Sequence, residues 1–97
     1  MALGPNQVDK VIHEPARLLL TTHLFAVVEA DFVYLRRATG LTAGNLSTHL
    51  TKLESAGYIK ITKAFEGKRP KTTVKLTPKG RKAFEAYRKN ILQVLKT

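Results

Sequence analysis

The stretch between Gly40 and Gly57 constrains the fold of this chain more than any other part of it. Its apolar residues recur at helical spacing and form a single stripe: Leu46, Leu50 and Leu53. Thr42 supplies an N-cap, and glycine suits the left-handed position at which helices commonly end. We therefore predict a helix over residues 42–56 that turns one face to a core.

Further helices are predicted upstream of this one. Residues 7–13 indicate a short helical stretch, and Pro15 suits the first turn of a longer helix over residues 15–29. The longer helix has apolar residues on nearly every side: Leu18, Leu19, Leu20, Leu24, Phe25, Val27 and Val28. A helix of this kind is normally buried all round, which in so small a protein favours packing against a second subunit. Residues 32–34 then indicate a very short strand, which leads into a helix over residues 34–39.

Two alternating segments and a final helix complete the chain. Residues 58–65 and 72–76 alternate apolar with polar side chains, as strands with one apolar face do, and residues 66–71 form a basic connector. This pattern predicts a hairpin with a positively charged tip. Thr77 and Pro78 supply an N-cap and a first-turn proline for a helix that reaches about residue 96. Its apolar residues have the spacing of a coiled-coil seam: Phe84, Tyr87, Ile91 and Val94.

The net charge of +10 lies entirely in the second part of the chain. Residues 1–57 carry five Lys/Arg and five Asp/Glu, whereas residues 58–97 carry twelve Lys/Arg and two Asp/Glu. Such a segment suits a phosphate backbone, an anionic lipid or an acidic protein. The sequence has no cysteine, no signal-peptide pattern and no apolar run long enough to span a bilayer. We therefore expect a single domain over residues 1–97, in the cytoplasm and without a membrane partner.

Two helices joined by a glycine-containing turn and followed by a basic hairpin predict a winged helix-turn-helix, an α+β fold with mainly helices. Opposite its apolar stripe, the second helix carries a small, polar and almost uncharged face, which suits the major groove of DNA. On this face and its flanks, the predicted DNA contacts are Thr42, Gly44, Asn45, Ser47, Thr48, His49, Thr51 and Lys52. In the hairpin they are Lys68, Arg69 and Lys71. The part played by Lys60, Lys63 and Lys75 stays open.

Residues 41–59, with the sequence LTAGNLSTHLTKLESAGYI, resemble the recognition-helix signature of the MarR and ArsR-type winged-helix regulators. Residues 76–80 are similar to the L-T-x-x-G stretch that follows the wing in those families, and Arg69-Pro70 resembles their wing. Residues 13–18 are similar to the helix that opens the ArsR-type domain. The resemblance covers about residues 13–90 and implies a dimeric transcriptional regulator that binds double-stranded DNA.

Two departures from these families bear on ligands. ArsR-type metal sensing needs Cys or clustered His, whereas this chain has no cysteine and its histidines are scattered at His13, His23 and His49. We therefore expect neither a metal nor a cofactor. MarR proteins usually have additional helices that frame an effector pocket, so a small-molecule effector stays unassigned. The sequence also has no catalytic pattern, and we expect that the protein is not an enzyme.

The residues and the resemblance together predict a homodimer that binds a pseudo-palindromic operator in double-stranded DNA and regulates transcription. The predicted subunit contacts lie on the two apolar helices: Leu20, Leu24, Phe84, Tyr87, Ile91, Val94 and Leu95. Two alternative functions stay open. One is an adaptor whose helix face binds a protein, and the other is a protein that binds nucleic acid without sequence specificity.

Overall fold

A computed structural model describes residues 8–96, which form four helices and a three-stranded antiparallel sheet. The helices are α1 (Pro15–Phe25), α2 (Phe32–Thr39), α3 (Ala43–Ser55) and α4 (Pro78–Leu95). The strands are β1 (Ala30–Asp31), β2 (Ile59–Glu66) and β3 (Arg69–Leu76), in the sheet order β1-β3-β2. The predicted winged helix-turn-helix is confirmed: α2 and α3 are its two central helices, and the hairpin of β2 and β3 is its wing.

The segment before α1 is a turn and not the predicted short helix. The Asp9 carboxylate accepts hydrogen bonds from the N–H groups of Val11 and Ile12, at 2.9 and 3.1 Å. The N–H of His13 donates to the Asp9 carbonyl at 2.8 Å, so these bonds cap a single helical turn, and the turn is not extended because the N–H of Glu14 bonds to Ile12 instead. Residue 7, where the predicted stretch begins, lies outside the described residues. The Tyr58 hydroxyl donates to the same carboxylate at 2.5 Å, and burial together with this contact raises the pKa of Tyr58 to about 12.

Helix α1 ends at Phe25, before its predicted end at residue 29. The N–H of Ala26 donates to the carbonyl of His23 at 3.2 Å and closes the last turn. Beyond this point Val28 is 89% exposed. The apolar run that predicted a continuous helix therefore extends into a loop, where its last residue faces solvent.

Strand β1 comes before the position predicted for it. Ala30 and Asp31 pair with Val74 and Thr73 of β3. The Asp31 carboxylate then caps α2 by accepting a hydrogen bond of 2.7 Å from the N–H of Tyr34. Because this cap starts the helix at once, residues 32–34 belong to α2 and not to a strand.

The main core gathers apolar side chains from α1, α2, α3 and the sheet. Its buried members are Leu20, Leu24, Ala30, Leu35, Leu46, Leu50, Leu53, Ile59 and Val74. The stripe of α3 faces this core as predicted. Leu20 and Leu24 are at most 1% exposed within one chain, and so they have no surface left for a second subunit. Their assignment to a subunit contact is therefore corrected, because the chain's own elements cover this side of α1.

The wing is a longer hairpin than predicted. Strands β2 and β3 pair as far as Glu66 opposite Arg69, so most of the predicted connector belongs to the strands. The turn is formed by Gly67 and Lys68, and Gly67 has a φ of 65°, which suits a two-residue hairpin turn. Strand pairing thus holds the base of the cationic tip in a defined geometry.

Helix α4 is anchored at its start by the predicted cap. The Thr77 hydroxyl accepts from the N–H of Gly80 at 3.0 Å and donates to the carbonyl of Gly57 at 2.6 Å. One side chain therefore joins the beginning of α4 to the turn between α3 and β2. No helix within residues 8–96 is long and apolar enough to cross a membrane.

A second, smaller core lies between α4, α1 and the segment before α1. Ile12, Phe84 and Tyr87 are buried in it. Phe84 and Tyr87 are only 7% and 5% exposed within one chain, so they belong mainly to this core, but both also line a shallow groove with Leu18 and Ile91, and their part in a subunit contact stays a prediction. Ile91 packs partly against this core, whereas Leu95 is 74% exposed. The outer surface of α4 is thus apolar mainly near its end.

Candidate nucleic-acid interface

The side of α3 that points away from the core is exposed and almost uncharged. Its exposed residues, including the flanking Ser47, are Gly44, Asn45, Ser47, Thr48, Thr51, Lys52 and Ser55. Thr42 caps the helix by accepting a hydrogen bond of 3.1 Å from the N–H of Asn45. A methyl group added at Gly44 would meet no atom within 4 Å, so the backbone is open to a partner there. We call these residues, with Thr42, the outer face of α3.

Thr48 and Thr51 present a definite chemistry on this outer face. Each hydroxyl donates to a carbonyl one turn earlier, Thr48 to Gly44 at 3.0 Å and Thr51 to Ser47 at 2.9 Å. Because the hydroxyl hydrogens are used in this way, each side chain offers a methyl group and an accepting oxygen to a partner. The methyl group suits the C5-methyl of thymine, and the oxygen suits the amino group of adenine or cytosine.

The register of the wing separates the three lysines of its strands into two groups. Because side chains alternate along a strand, Lys63 lies on the face of β2 that continues the core, and it lines a groove with Ser47 and Thr51. Lys60 and Lys75 lie opposite each other on the other face. Lys63 therefore lies beside the surface of α3, whereas Lys60 and Lys75 do not share its face, and the sequence leaves this difference open.

The cations at the wing tip differ in how far their charge is already paired. Lys68 and Arg69 are exposed at the turn and at the start of β3. Lys71 donates a hydrogen bond of 2.9 Å to the Glu66 carboxylate, and this bond and the negative charge raise the pKa of Lys71. Lys68 and Arg69 are therefore the stronger candidates for phosphate contacts.

His49 lies in a cluster that joins α3 to the beginning of α1. Its Nδ1 is 3.2 Å from Oε2 of Glu14 and 3.1 Å from Nη1 of Arg17. Arg17 also donates through Nε to the carbonyl of Val11 at 2.6 Å. These contacts favour a structural role for His49, in which it holds α3 against α1, rather than the predicted contact with phosphate. Within residues 8–96, no three His, Asp or Glu side chains are grouped so that they could hold a metal ion.

The cluster predicts an acid-sensitive contribution to stability. Burial raises the pKa of Glu14, but hydrogen bonds from the N–H groups of Ala16 and Arg17 and the charges of His49 and Arg17 outweigh it, so the pKa is lowered from 4.5. A lowered pKa in the folded state gives stability that is present above about pH 4.5 and is lost as the pH falls through the folded-state value. We expect Glu14→Gln to lower the free energy of unfolding by about 1 kcal/mol at about pH 7 and hardly at all at about pH 3.

Urea unfolding at the two pH values measures this difference. Glu85→Gln is the matched control, because Glu85 is exposed on α4 and should change stability at neither pH. If Glu14→Gln cost the same at both pH values, the charge of Glu14 would have no part in the stability of the cluster.

Three further cations border the outer face, and no pattern in the sequence marks them. Arg36 and Arg37 lie in the last turn of α2 and line a groove that reaches Thr42. Lys10 borders another groove, which includes Lys52. In the sequence each is an ordinary exposed cation, and only the packing of α2 and of the first described turn against α3 brings them near the outer face.

A helix-turn-helix with an exposed polar second helix and an adjacent cationic wing defines the class of winged-helix DNA-binding domains. Residues 16–95 match the family model described as winged helix DNA-binding domain, and the chain belongs to that family. It is similar to the uncharacterized protein MJ0432 of Methanocaldococcus jannaschii. The two are 38% identical over 87 residues, which cover 90% of this chain and 95% of the relative.

Solved structures share this fold. The transcriptional regulator homologue protein from Pyrococcus horikoshii OT3 is 28% identical, covers 89% of this chain and 85% of its own, and has a TM-score of 0.84. A transcriptional regulator of the MarR family from Enterococcus faecalis V583 is 24% identical, covers 89% of this chain and 77% of its own, and has a TM-score of 0.76. The predicted resemblance to MarR-type winged-helix regulators is confirmed in the fold.

Proposed function

We propose that this protein regulates transcription by binding a specific sequence of double-stranded DNA as a homodimer. The observation that carries the proposal is the outer face of α3, which is exposed, small, polar and almost uncharged beside a cationic wing. A helix surface that only meets solvent is usually richer in Glu and Lys, because Thr and Ser are poorer helix formers. Short side chains on this face allow the helix backbone to approach base edges in a major groove.

The charge distribution supports DNA over a protein partner for this face. Lys63 borders the outer face, and Lys68 and Arg69 lie at the wing tip. Arg36 and Arg37 border the end of the outer face at Thr42. The middle of the face is nearly neutral, while cations lie around it. This is the arrangement expected where base edges are read at the centre and phosphates are held at the margins.

A homodimer is supported by the apolar residues that remain on the outside of α1 and α4. Leu19, Leu92 and Leu95 are 41%, 46% and 74% exposed, and Leu18 and Ile91 border a shallow groove between the two helices. Such residues suit a two-fold contact between copies of the chain. Two subunits would then present two α3 helices to successive major grooves, about 34 Å apart on one side of the duplex.

Selection of bound sequences from a random pool of duplexes tests this proposal directly. We expect the bound sequences to converge on two inverted half-sites, and the affinity to fall steeply with salt because neutralised phosphates release counterions. Equal affinity for single strands, a failure of the sequences to converge, or an affinity independent of salt would contradict it. The first two outcomes would favour binding without sequence specificity, and the third would favour a protein partner.

We expect α3 and the wing to contribute differently to binding. Asn45→Ala and Thr48→Ala should reduce the discrimination between base pairs at particular positions, by about 1–3 kcal/mol for each bidentate hydrogen-bonded pair that the substitution removes. Lys68→Ala and Arg69→Ala should weaken binding evenly across sequences. They should also make the slope of the logarithm of the binding constant against the logarithm of the salt concentration shallower, by about 0.9 for each phosphate that is no longer neutralised. Binding titrations on the selected duplex and on single-base variants, each at several salt concentrations, separate the two effects.

Glu54→Ala is the matched control for the α3 variants. Glu54 is exposed on the same helix but lies beside the buried stripe, away from the middle of the outer face. It should leave the base preference unchanged. If Asn45→Ala and Thr48→Ala also left it unchanged, α3 would not be the element that reads the sequence.

A further inference from the structure

Phe65 is a large apolar side chain that the described part of the chain leaves uncovered. It is 75% exposed on the wing, whereas Phe25, Phe32 and Phe84 pack against one of the two cores. Leaving an aromatic ring in water is unfavourable, since its burial is one of the main sources of stability in folding and binding. The described residues therefore do not bury this ring, and it is available for contact with a partner.

The register of the wing gives Phe65 a rigid apolar neighbour. Phe65 lies directly opposite Pro70, on the same face of the hairpin as Lys63, which borders the outer face of α3. In a two-residue hairpin the pair that closes the turn exchanges hydrogen bonds and the next pair does not. Pro70 therefore costs the ladder no hydrogen bond at this position, and its fixed φ stiffens the strand beside the ring.

Cations outnumber carboxylates around this pair. Lys68 and Arg69 lie at the tip and Lys63 lies two residues before Phe65 on the same face, whereas Glu66 is paired with Lys71 and Asp31, which lines the groove beside Pro70, caps α2. An apolar ring bordered by cations matches the minor groove of DNA, where phosphates line both rims, the sugars form apolar walls, and an apolar base face becomes accessible when a base step is opened.

We propose that Phe65, supported by Pro70, is an apolar wedge that enters the minor groove beside the half-site and opens a base step there. The inference rests on the proposed function and adds a second means of recognition to it. Pyrimidine–purine steps unstack most easily, so the wedge selects for such a step at a position that α3 does not touch. The insertion bends the duplex, as apolar wedges in the minor groove commonly do.

The proposal is tested with 2-aminopurine placed in the flanking step of a duplex obtained by selection from the random pool. We expect its fluorescence to rise on binding of the unaltered protein, because the base loses its stacked neighbour, and energy transfer between dyes at the duplex ends to report a bend. With Phe65→Ala both signals should be lost, and the affinity should fall about 5- to 100-fold. Phe65→Leu, which keeps an apolar wedge, should retain most of both.

Thr62→Ala is the matched control, because Thr62 lies in the same strand but on the opposite face of the wing. It should change neither the fluorescence nor the bend. Phe65→Trp adds a direct readout, since the chain contains no tryptophan. The indole emission should be quenched by the selected duplex if the side chain is inserted among bases.

The possible outcomes separate this inference from the proposed function. If the pool converges on a sequence but Phe65→Ala binds, bends and unstacks it like the unaltered protein, the wedge is refuted and the proposed function stands. If Phe65→Ala instead changes the sedimentation of the protein without DNA, the ring contacts a second copy and the wedge is again refuted. If no duplex is selected, the proposed function and the wedge fall together.

Discussion

A Gly80→Ala variant is expected to lose most of its folding stability, although it adds only one methyl group. A Cβ at this position would lie 2.0 Å from the carbonyl oxygen of Tyr58 and 2.7 Å from its carbonyl carbon. Both are backbone atoms, which cannot rotate away, and the same carbonyl accepts a hydrogen bond of 3.0 Å from the N–H of Thr77. The start of α4 would have to move away from Tyr58 and break this connection. We expect a loss of about 4 kcal/mol or more, which is a large part of the stability of a small domain.

Gly44→Ala provides a control with the same change and the opposite environment. A Cβ at Gly44 would meet nothing within 4 Å, and Gly44 has no positive φ that a side chain would strain. We expect the stability to stay unchanged or to rise by about 0.5–1 kcal/mol, because alanine favours a helix more than glycine does. Urea and thermal unfolding of both variants measure the contrast. If Gly80→Ala unfolded at the same denaturant concentration as the unaltered protein, the contact between α4 and Tyr58 would not be essential.

A Leu95→Glu variant is expected to be a folded monomer that no longer binds the two-half-site operator tightly. Leu95 is 74% exposed within one chain, so the change costs a single subunit little. In the proposed dimer the carboxylate would be buried without a partner, which is strongly unfavourable. Loss of the second half-site then removes the gain from bivalent binding, and the apparent affinity should fall by about 10²- to 10⁴-fold.

Sedimentation and urea unfolding of the same preparation test this expectation. Gln93→Glu adds an identical charge two residues away, on another side of α4, and should remain a dimer with full affinity. Ile91→Glu would be less informative, because Ile91 packs against Phe84 and Tyr87 and the variant would also disturb the smaller core. If the Leu95→Glu protein were still a dimer, the subunit contact would have to lie elsewhere on the chain.

Much of the proposed interface could be predicted because it depends on local patterns. The cap at Thr42 depends on a side chain that bonds to its own neighbouring backbone, and the turn at Gly40 depends on a φ of 73°, which glycine adopts without strain. The stripe of α3 could be assigned to a core by its spacing alone, and the opposite face then had to be exposed. His49 was harder, because its partners Glu14 and Arg17 are distant in sequence and only the packing of α1 against α3 brings them together.

By itself, the sequence determined the order of the elements from α1 to α4, the caps that start α3 and α4, and the position of the positive charge. These features depend on backbone preferences and on side chains within one or two turns of each other. Only the tertiary structure decided that Leu20 and Phe84 are covered by their own chain, that Lys63 and Lys60 lie on opposite faces of the wing, and that Phe65 is uncovered. The physical reason is that burial is a property of the assembled surfaces. An apolar side chain is equally hydrophobic whether it is buried or exposed. The packing of distant elements determines whether its surface is covered by its own chain.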